Sequence, residues 1–296
     1  MLPDLILQFL LAGLTTGAVY ALIALGFIAI YRASNILNLA QGEFVMLGGL
    51  TTVFLMTRCG FGYLPAALTA VAAVTLAGLV VQRAIIHPVR DEPVLIRIMI
   101  TIGISFFLSG SAGLLFGTNP ASLPPFIAAA PVRLPGGIRV DVQSIVILGA
   151  TLLLLLLLFG FSRLTFMGRA MEAVSTDRYG ADITGIPSDF IVLAAFGISA
   201  AVGAVAGICI TPVFFTQYNA GGILALKGFA AAVIGGWGRY SGAVLGGLLL
   251  GVIEAVGIGF MPSGYRDALA FGTLMLILYL RPKGLLGSRA LTEARK

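Results

Sequence analysis

Charge is scarce in this chain. Lys, Arg, Asp and Glu make up only 10% of it, while hydrophobic residues make up 59%. A soluble domain carries about a quarter charged residues. With so few, this chain could not cover a water-facing surface, and its mean hydropathy is +1.05. Histidine occurs once, as His87, and cysteine twice, as Cys59 and Cys209. Those counts exclude a disulfide scaffold and make a metal-ligand cluster improbable. The two cysteines have no redox spacing and say nothing about compartment. There is no phosphate-cradling G-x-x-x-x-G-K-[ST], no H-E-x-x-H and no G-x-S-x-G. His87, beside Pro88 in an Arg-rich loop, reads most simply as a solvated loop residue. The excess of base over acid, 18 against 12, is read as loop charge rather than a nucleic-acid signal. The opening MLPD, with no Lys or Arg before Arg32, shows no cleavable signal.

Long apolar runs fill the space that charge leaves. Uncharged runs of about 18 residues or more read as membrane helices, and continuous rather than alternating runs argue against a barrel. The runs cover about 5–30, 36–57, 64–84, 94–117, 142–162, 189–210, 241–260 and 266–281, with a broken stretch at 211–237. The expected fold is all-α: one polytopic helix bundle, 1–296, with eight or nine transmembrane segments, some broken or re-entrant. With nine crossings and the C-terminus inside, thirteen Lys and Arg fall on the cytoplasmic side and five outside: Arg58, Arg133, Arg139, Lys227 and Arg266. The positive-inside rule then favours N-out, C-in.

Glycines four apart stand at Gly13/Gly17, Gly113/Gly117, Gly203/Gly207 and Gly242/Gly246, with Gly247/Gly251 beside the last. Such pairs let helix backbones approach closely, either as fixed packing or as sliding surfaces. The outer loop 118–141 is stiffened by five prolines, and "VRLPGGIRV" is expected to close a short hairpin. It serves as a connector or as a docking surface for an extracytoplasmic partner.

Two carboxylates lie at membrane depth. Glu43 sits in "YRASNILNLAQGEFVML" with Asn35, Asn38 and Gln41, and Glu254 sits in "LLLGVIEAVGIGF" with no basic residue within ten positions. An ionisable group in a membrane helix is costly and is by default a functional candidate. The alternative for each is a structural hydrogen bond or a helix end near water. "LNLAQGEFVMLGG" and "GGWGRYSGAVLGG" each join a polar, glycine-containing break to an apolar run ending in Gly-Gly. Broken segments in corresponding halves of a transporter point to the substrate path. On the cytoplasmic side, 163–187 is the main polar interruption. Ala173, Asp177, Ala181 and Gly185 are four apart and read as one helix face suited to a groove in another protein. Pro187 is expected to start the next membrane helix.

Several of these stretches together resemble the branched-chain amino acid (LivH-like) permeases of bacterial ABC importers. They are 13–49, "MGRAMEAVSTDRYGADITGI" (167–186), 226–255 and the ending "RPKGLLG" (281–287). The resemblance implies an inner-membrane permease that is not itself an enzyme and holds no cofactor. A second permease subunit, homologous or identical, would complete the pore. Two cytoplasmic ATPase subunits would carry ATP and Mg, and a periplasmic binding protein would deliver substrate. Residues 167–186 match the family's coupling segment, which places Arg169, Glu172, Ala173, Asp177, Ala181 and Gly185 against the ATPase. The 35–43 stretch matches the family's polar break, where many relatives have His at the position of Gln41. The implied mechanism is alternating access, with Asn35, Asn38, Gln41 and Glu43 lining or gating the path and Glu254 beside it on the opposing half. A stand-alone secondary transporter or channel is the runner-up. An intramembrane enzyme would need convergent catalytic groups that two acids do not supply.

Overall fold

The computed structural model describes residues 2–127, 132–133 and 139–287. The chain is a helix bundle: α1 (Leu2–Ser34), α2 (Gln41–Thr57), α3 (Tyr63–Val81), α4 (Val94–Phe116), α5 (Val142–Leu164), α6 (Phe166–Thr176), α7 (Arg178–Ile183), α8 (Ser188–Phe214), α9 (Ala220–Gly235), α10 (Tyr240–Phe260) and α11 (Arg266–Leu280). A π turn and a 3-10 turn extend α3 to Val89. Among the described residues, six helices are long and apolar enough to cross a membrane: 7–34, 63–89, 94–116, 142–164, 188–214 and 240–260. At 1.5 Å per residue, α2, α9 and α11, of 17, 16 and 15 residues, fall short of a hydrocarbon core of about 30 Å. In the loop 118–141, strands β1 (Val132–Arg133) and β2 (Arg139–Val140) pair antiparallel, as the hairpin reading expected. Its turn, 134–138, lies outside the described residues.

Burial separates the helices into a centre and a rim. Every residue from Ala18 to Leu25 is under 5% exposed, so α1 is enclosed on all sides. A helix that is apolar all round has no face to give to water, and protein encloses it here. Helices α8, α9 and α10 pack most extensively around α1, with the inner side of α5 against it as well. Rim helices α3, α4 and α5 show leucines and phenylalanines outward, such as Leu68, Phe106 and Leu153. In lipid those side chains carry no penalty, so close packing rather than burial must hold the centre together.

Glycine makes that packing possible. Gly13 and Gly17 of α1 meet Gly247, Leu248, Gly251 and Val252 of α10, backbone against backbone. Gly203 and Gly207 of α8 take Phe44 and Val45 of α2, and Gly242 and Gly246 of α10 take Ala231 and Gly235 of α9. The fixed-packing reading therefore holds for these pairs. It does not hold for the fourth, because Gly113 meets only the Tyr218 ring and Gly117 ends α4 at φ +88° with nothing nearby.

Two helices end in the same way. Helix α1 stops at Asn35 (φ +52°) and α8 at Phe215 (φ +53°). After each comes a short irregular segment, 35–40 or 215–219, and then a short inner helix, α2 or α9. Asn tolerates the left-handed region, but a bulky aromatic there is strained by about 1–3 kcal/mol. The opening break thus has its structural counterpart at 215–219, whereas the sequence likeness pointed to 227–247. Helix α2 runs parallel to α8, with Gln41 beside Ser199 and Gly49 beside Thr211. Helix α3 runs antiparallel to α8, with Gly78 beside Ala200.

Candidate functional site

The break 35–40 positions the buried polar group. Asn38 is 1% exposed, and its Oδ1 accepts from the Ala40 amide at 3.2 Å, turning the chain into α2. Gln41, fully buried, opens that helix. Its Oε1 lies 2.6 Å from Ser199 Oγ, and its Nε2 donates to the Ser199 carbonyl at 3.2 Å. Ser199 Oγ also lies 2.7 Å from the Gly26 carbonyl. The hydroxyl has one proton to give to these two acceptors, Gln41 Oε1 on α2 or the Gly26 carbonyl on α1, while the Gln41 Nε2 bond to the Ser199 carbonyl holds α2 to α8 in either case. Glu43, 1% exposed, accepts from Ser105 Oγ of α4 at 2.7 Å. Its Oε2 and Asn38 Nδ2 have no hydrogen-bond partner among the described residues.

The other short helix presses on this group. A Cβ on Gly42 would stand 1.9 Å from the Gly221 carbonyl oxygen, and one on Gly221 would stand 2.2 Å from Glu43 Oε2. The Glu43 carboxylate thus lies against the first turn of α9, whose free N–H groups carry partial positive charge. The sequence candidates Asn38, Gln41 and Glu43 are brought together. Asn35 is not. It is exposed and donates from Nδ2 to the Ser175 carbonyl at the end of α6. One residue turn earlier, Arg32 pairs with Glu172 of α6 at 3.3 Å.

Glu254 stands apart from that group and is not solitary. It is fully buried and accepts from Tyr20 OH at 2.6 Å, from Lys227 Nζ at 2.8 Å and from Arg266 Nε. Lys227 also reaches Asp267 at 2.9 Å. Two cations and two carboxylates therefore balance, joining α1, α9, α10 and α11. Sequence distance concealed this, because Lys227 lies on another helix and Arg266 beyond a turn. Lys227, counted among the five outside cations, is a 5%-exposed helix residue.

The polar segment 163–187 also differs from its expected form. Helix α6 ends at Thr176, and Asp177, with φ −148°, caps α7 through Oδ1 to the Gly180 amide at 3.0 Å. Ala173, Asp177, Ala181 and Gly185 therefore do not share one helix face. An Asp in the middle of a helix competes with the backbone and is far better placed as a cap. Ala181 is buried, Ala173 is half-buried, and Gly185 turns the chain at φ +86°. Arg169, Glu172 and Asp177 remain exposed. The residues missed are Tyr179 and Ile183, 77% and 69% exposed. They stand four apart on α7, an apolar pair that a tally of small residues passes over. Pro187 directly precedes α8, as expected. His87 is no simple solvated residue. Its Nε2 lies 3.0 Å from Asp189 Oδ2, and Arg90 and Arg178 pair with the same carboxylate.

A family model described as the permease component of the branched-chain amino acid transport system matches residues 9–278. The chain belongs to that family. LivH of Escherichia coli (strain K12), a high-affinity branched-chain amino acid transport system permease protein, is 33% identical over 95% of this chain and 95% of its own length. BraD of Pseudomonas aeruginosa, described in the same words, is 35% identical with 95% of each chain covered. The permease protein LivM of E. coli K12 is 29% identical over 92% of this chain and 68% of its own length. The resemblance carried by 13–49, 167–186, 226–255 and 281–287 is thereby borne out. A branched-chain permease component built in this way brings its helix α6 into direct contact with the end of α1 and with the break that leads to Gln41 and Glu43.

Proposed function

We propose that this permease component forms one half of the translocation pathway of an ATP-driven, binding-protein-dependent importer in a bacterial inner membrane. Its cargo is a branched-chain amino acid or a related small polar solute. The whole chain, 1–296, serves as one transmembrane domain, with eight or nine segments, some broken or re-entrant, in the N-out, C-in sense. With Lys227 inside the bundle, the outer share of basic residues falls from five to four, which strengthens that orientation. A second permease subunit, homologous or identical, faces this one. Two ATPase subunits dock on 163–187 from the cytoplasm and carry the ATP and Mg. A periplasmic binding protein meets the outer loop 118–141.

The observation that carries this reading is the pair of links from α6 to the polar break: Glu172 to Arg32, and the Ser175 carbonyl to Asn35. A docked ATPase that shifts α6 pulls on the residue at which α1 ends. The irregular segment 35–40 then passes the displacement to Asn38, Gln41 and Glu43, the gate. Arg169, Glu172, Asp177 and Gly185 face the ATPase together with Tyr179 and Ile183. Ala173 and Ala181 let α6 and α7 lie close to the bundle. Glu254 holds the opposing half in place through its ion cluster.

Tyr179→Ala combined with Ile183→Ala tests the coupling. Both side chains are exposed, so the bundle keeps its fold. Uptake and copurification of the ATPase should both be lost while the amount of inserted permease is unchanged. Normal uptake would sink the coupling assignment. Gradient-driven transport in liposomes by this chain alone would instead establish the stand-alone transporter.

A further inference from the structure

A hollow of about 500 Å³ opens where the ends of α1 and α5 meet the first half of α6 and the start of α10. Four guanidinium groups line it, those of Arg32, Arg163, Arg169 and Arg239, together with the Glu172 carboxylate. Glu172 pairs with Arg32 at 3.3 Å, and among the described residues no carboxylate lies within ion-pair distance of Arg163, Arg169 or Arg239. The hollow therefore keeps a surplus of about three positive charges. Two of the arginines are braced by aromatic rings. Arg163 lies 5.2 Å over Phe159, and Arg32 lies 5.3 Å over Tyr240. Helix α10 begins at this hollow with Arg239 as its N-cap and no side chain closing its first amides. Guanidinium forks and open helix amides suit one kind of ligand, an oxyanion with several acceptor oxygens.

Helix α5 adds a second feature. Leu152, Leu156, Phe159 and Arg163 are spaced four, three and four, so they form one stripe. Leu152, Leu156 and Phe159 are 57%, 59% and 47% exposed, and the stripe ends in the hollow. A soluble anion would make no use of an apolar track leading to its site. A lipid would lay an acyl chain along the leucines and its phosphate against Arg163 at the end of that stripe, while Arg169 and Glu172 stay with the proposed ATPase face. We infer that this hollow is a binding site for the phosphate of an anionic phospholipid, held at the foot of α5. Its assignment to the inner leaflet rests on the proposed orientation, and the chemistry of the site does not.

Native mass spectrometry of the detergent-purified full chain, alone and with its copurified subunits, tests this. The probes are phosphatidylglycerol, phosphatidylcholine and inorganic phosphate. Phosphatidylglycerol should be retained in preference to phosphatidylcholine in both preparations. Arg163→Gln, at an exposed position, should weaken that retention about fivefold, the equivalent of about 1 kcal/mol per arginine near anionic lipid. Phe159→Ala should weaken it as well. Equal retention of both lipids, or an unchanged Arg163→Gln variant, refutes the site. Displacement by equimolar inorganic phosphate would make it a free-anion site instead. Retention by the isolated chain but not by the assembly would make it ATPase surface. Cysteine labelling of the two membrane faces reports the orientation separately, so a reversed orientation and an absent lipid site give different results.

Discussion

Gly251→Ala should separate α1 from α10. A Cβ at this position would stand 2.2 Å from Gly17 N, 2.3 Å from Gly17 Cα and 2.5 Å from the Gly13 carbonyl oxygen. Non-bonded carbons rest at about 3.5–4.0 Å, so the two backbones must part by roughly 1–1.5 Å. Backbone cannot rotate out of the way as a side chain can. The separation also loosens the neighbouring contacts, where Gly13 faces Val252 and Gly17 faces Leu248. A gap of 0.5–1 Å already forfeits about a quarter to a half of each dispersion contact. Overpacking costs about 1–3 kcal/mol in well-packed cores, and this site belongs at the upper end. Gly103→Ala is the control, because a Cβ there meets nothing within 4 Å. In a helix interior, alanine should gain about 1 kcal/mol over glycine. Thermal melting of the detergent-purified chain, followed by size-exclusion chromatography, reads both variants. On a scale of roughly 2–4 °C per kcal/mol, Gly251→Ala should melt several degrees lower and Gly103→Ala no lower than the parent. Equal melting of the two variants would show that glycine-mediated approach does not hold this bundle together.

Lys227→Met leaves the Glu254 cluster with one uncompensated negative charge, and should cost about 3 kcal/mol, the lower end for a broken buried pair, because Arg266 and Tyr20 remain. Adding Glu254→Leu should recover most of that loss in the same melting assay, since Arg266 and Asp267 still balance; a double variant weaker than the single would refute the charge-balance argument. Gly221→Ala places a methyl 2.2 Å from Glu43 Oε2 and should displace that carboxylate. Uptake of labelled substrate should fall while membrane insertion persists, and parental uptake would remove the α9 contact from the gate.

The architecture was largely legible because its signals are local. Apolar length marks the helices, glycine spacing marks the close crossings, and the polar residues of 35–43 mark the break. The helix limits agree with the apolar runs within a few residues for α4, α8, α10 and α11. Partners across the fold were not legible. Glu254 looked solitary because its cations arrive from α9 and α11, and Ser105 and Ser199 carry no mark that sets them apart from other serines in apolar helices. Asp177 was misplaced because a four-residue spacing is blind to whether the helix continues through it.

From the sequence alone followed a membrane bundle of permease type, with a polar break after its first helix and a polar segment at 163–187. Those properties depend on composition and short-range pattern, which the chain carries wherever its helices end up. The tertiary structure decided that the break is sewn to α8 through Ser199 and to α6 through Asn35, and that Glu254 is neutralised. Such pairings are set by how helices cross, and the crossings are set by which glycines face which backbones.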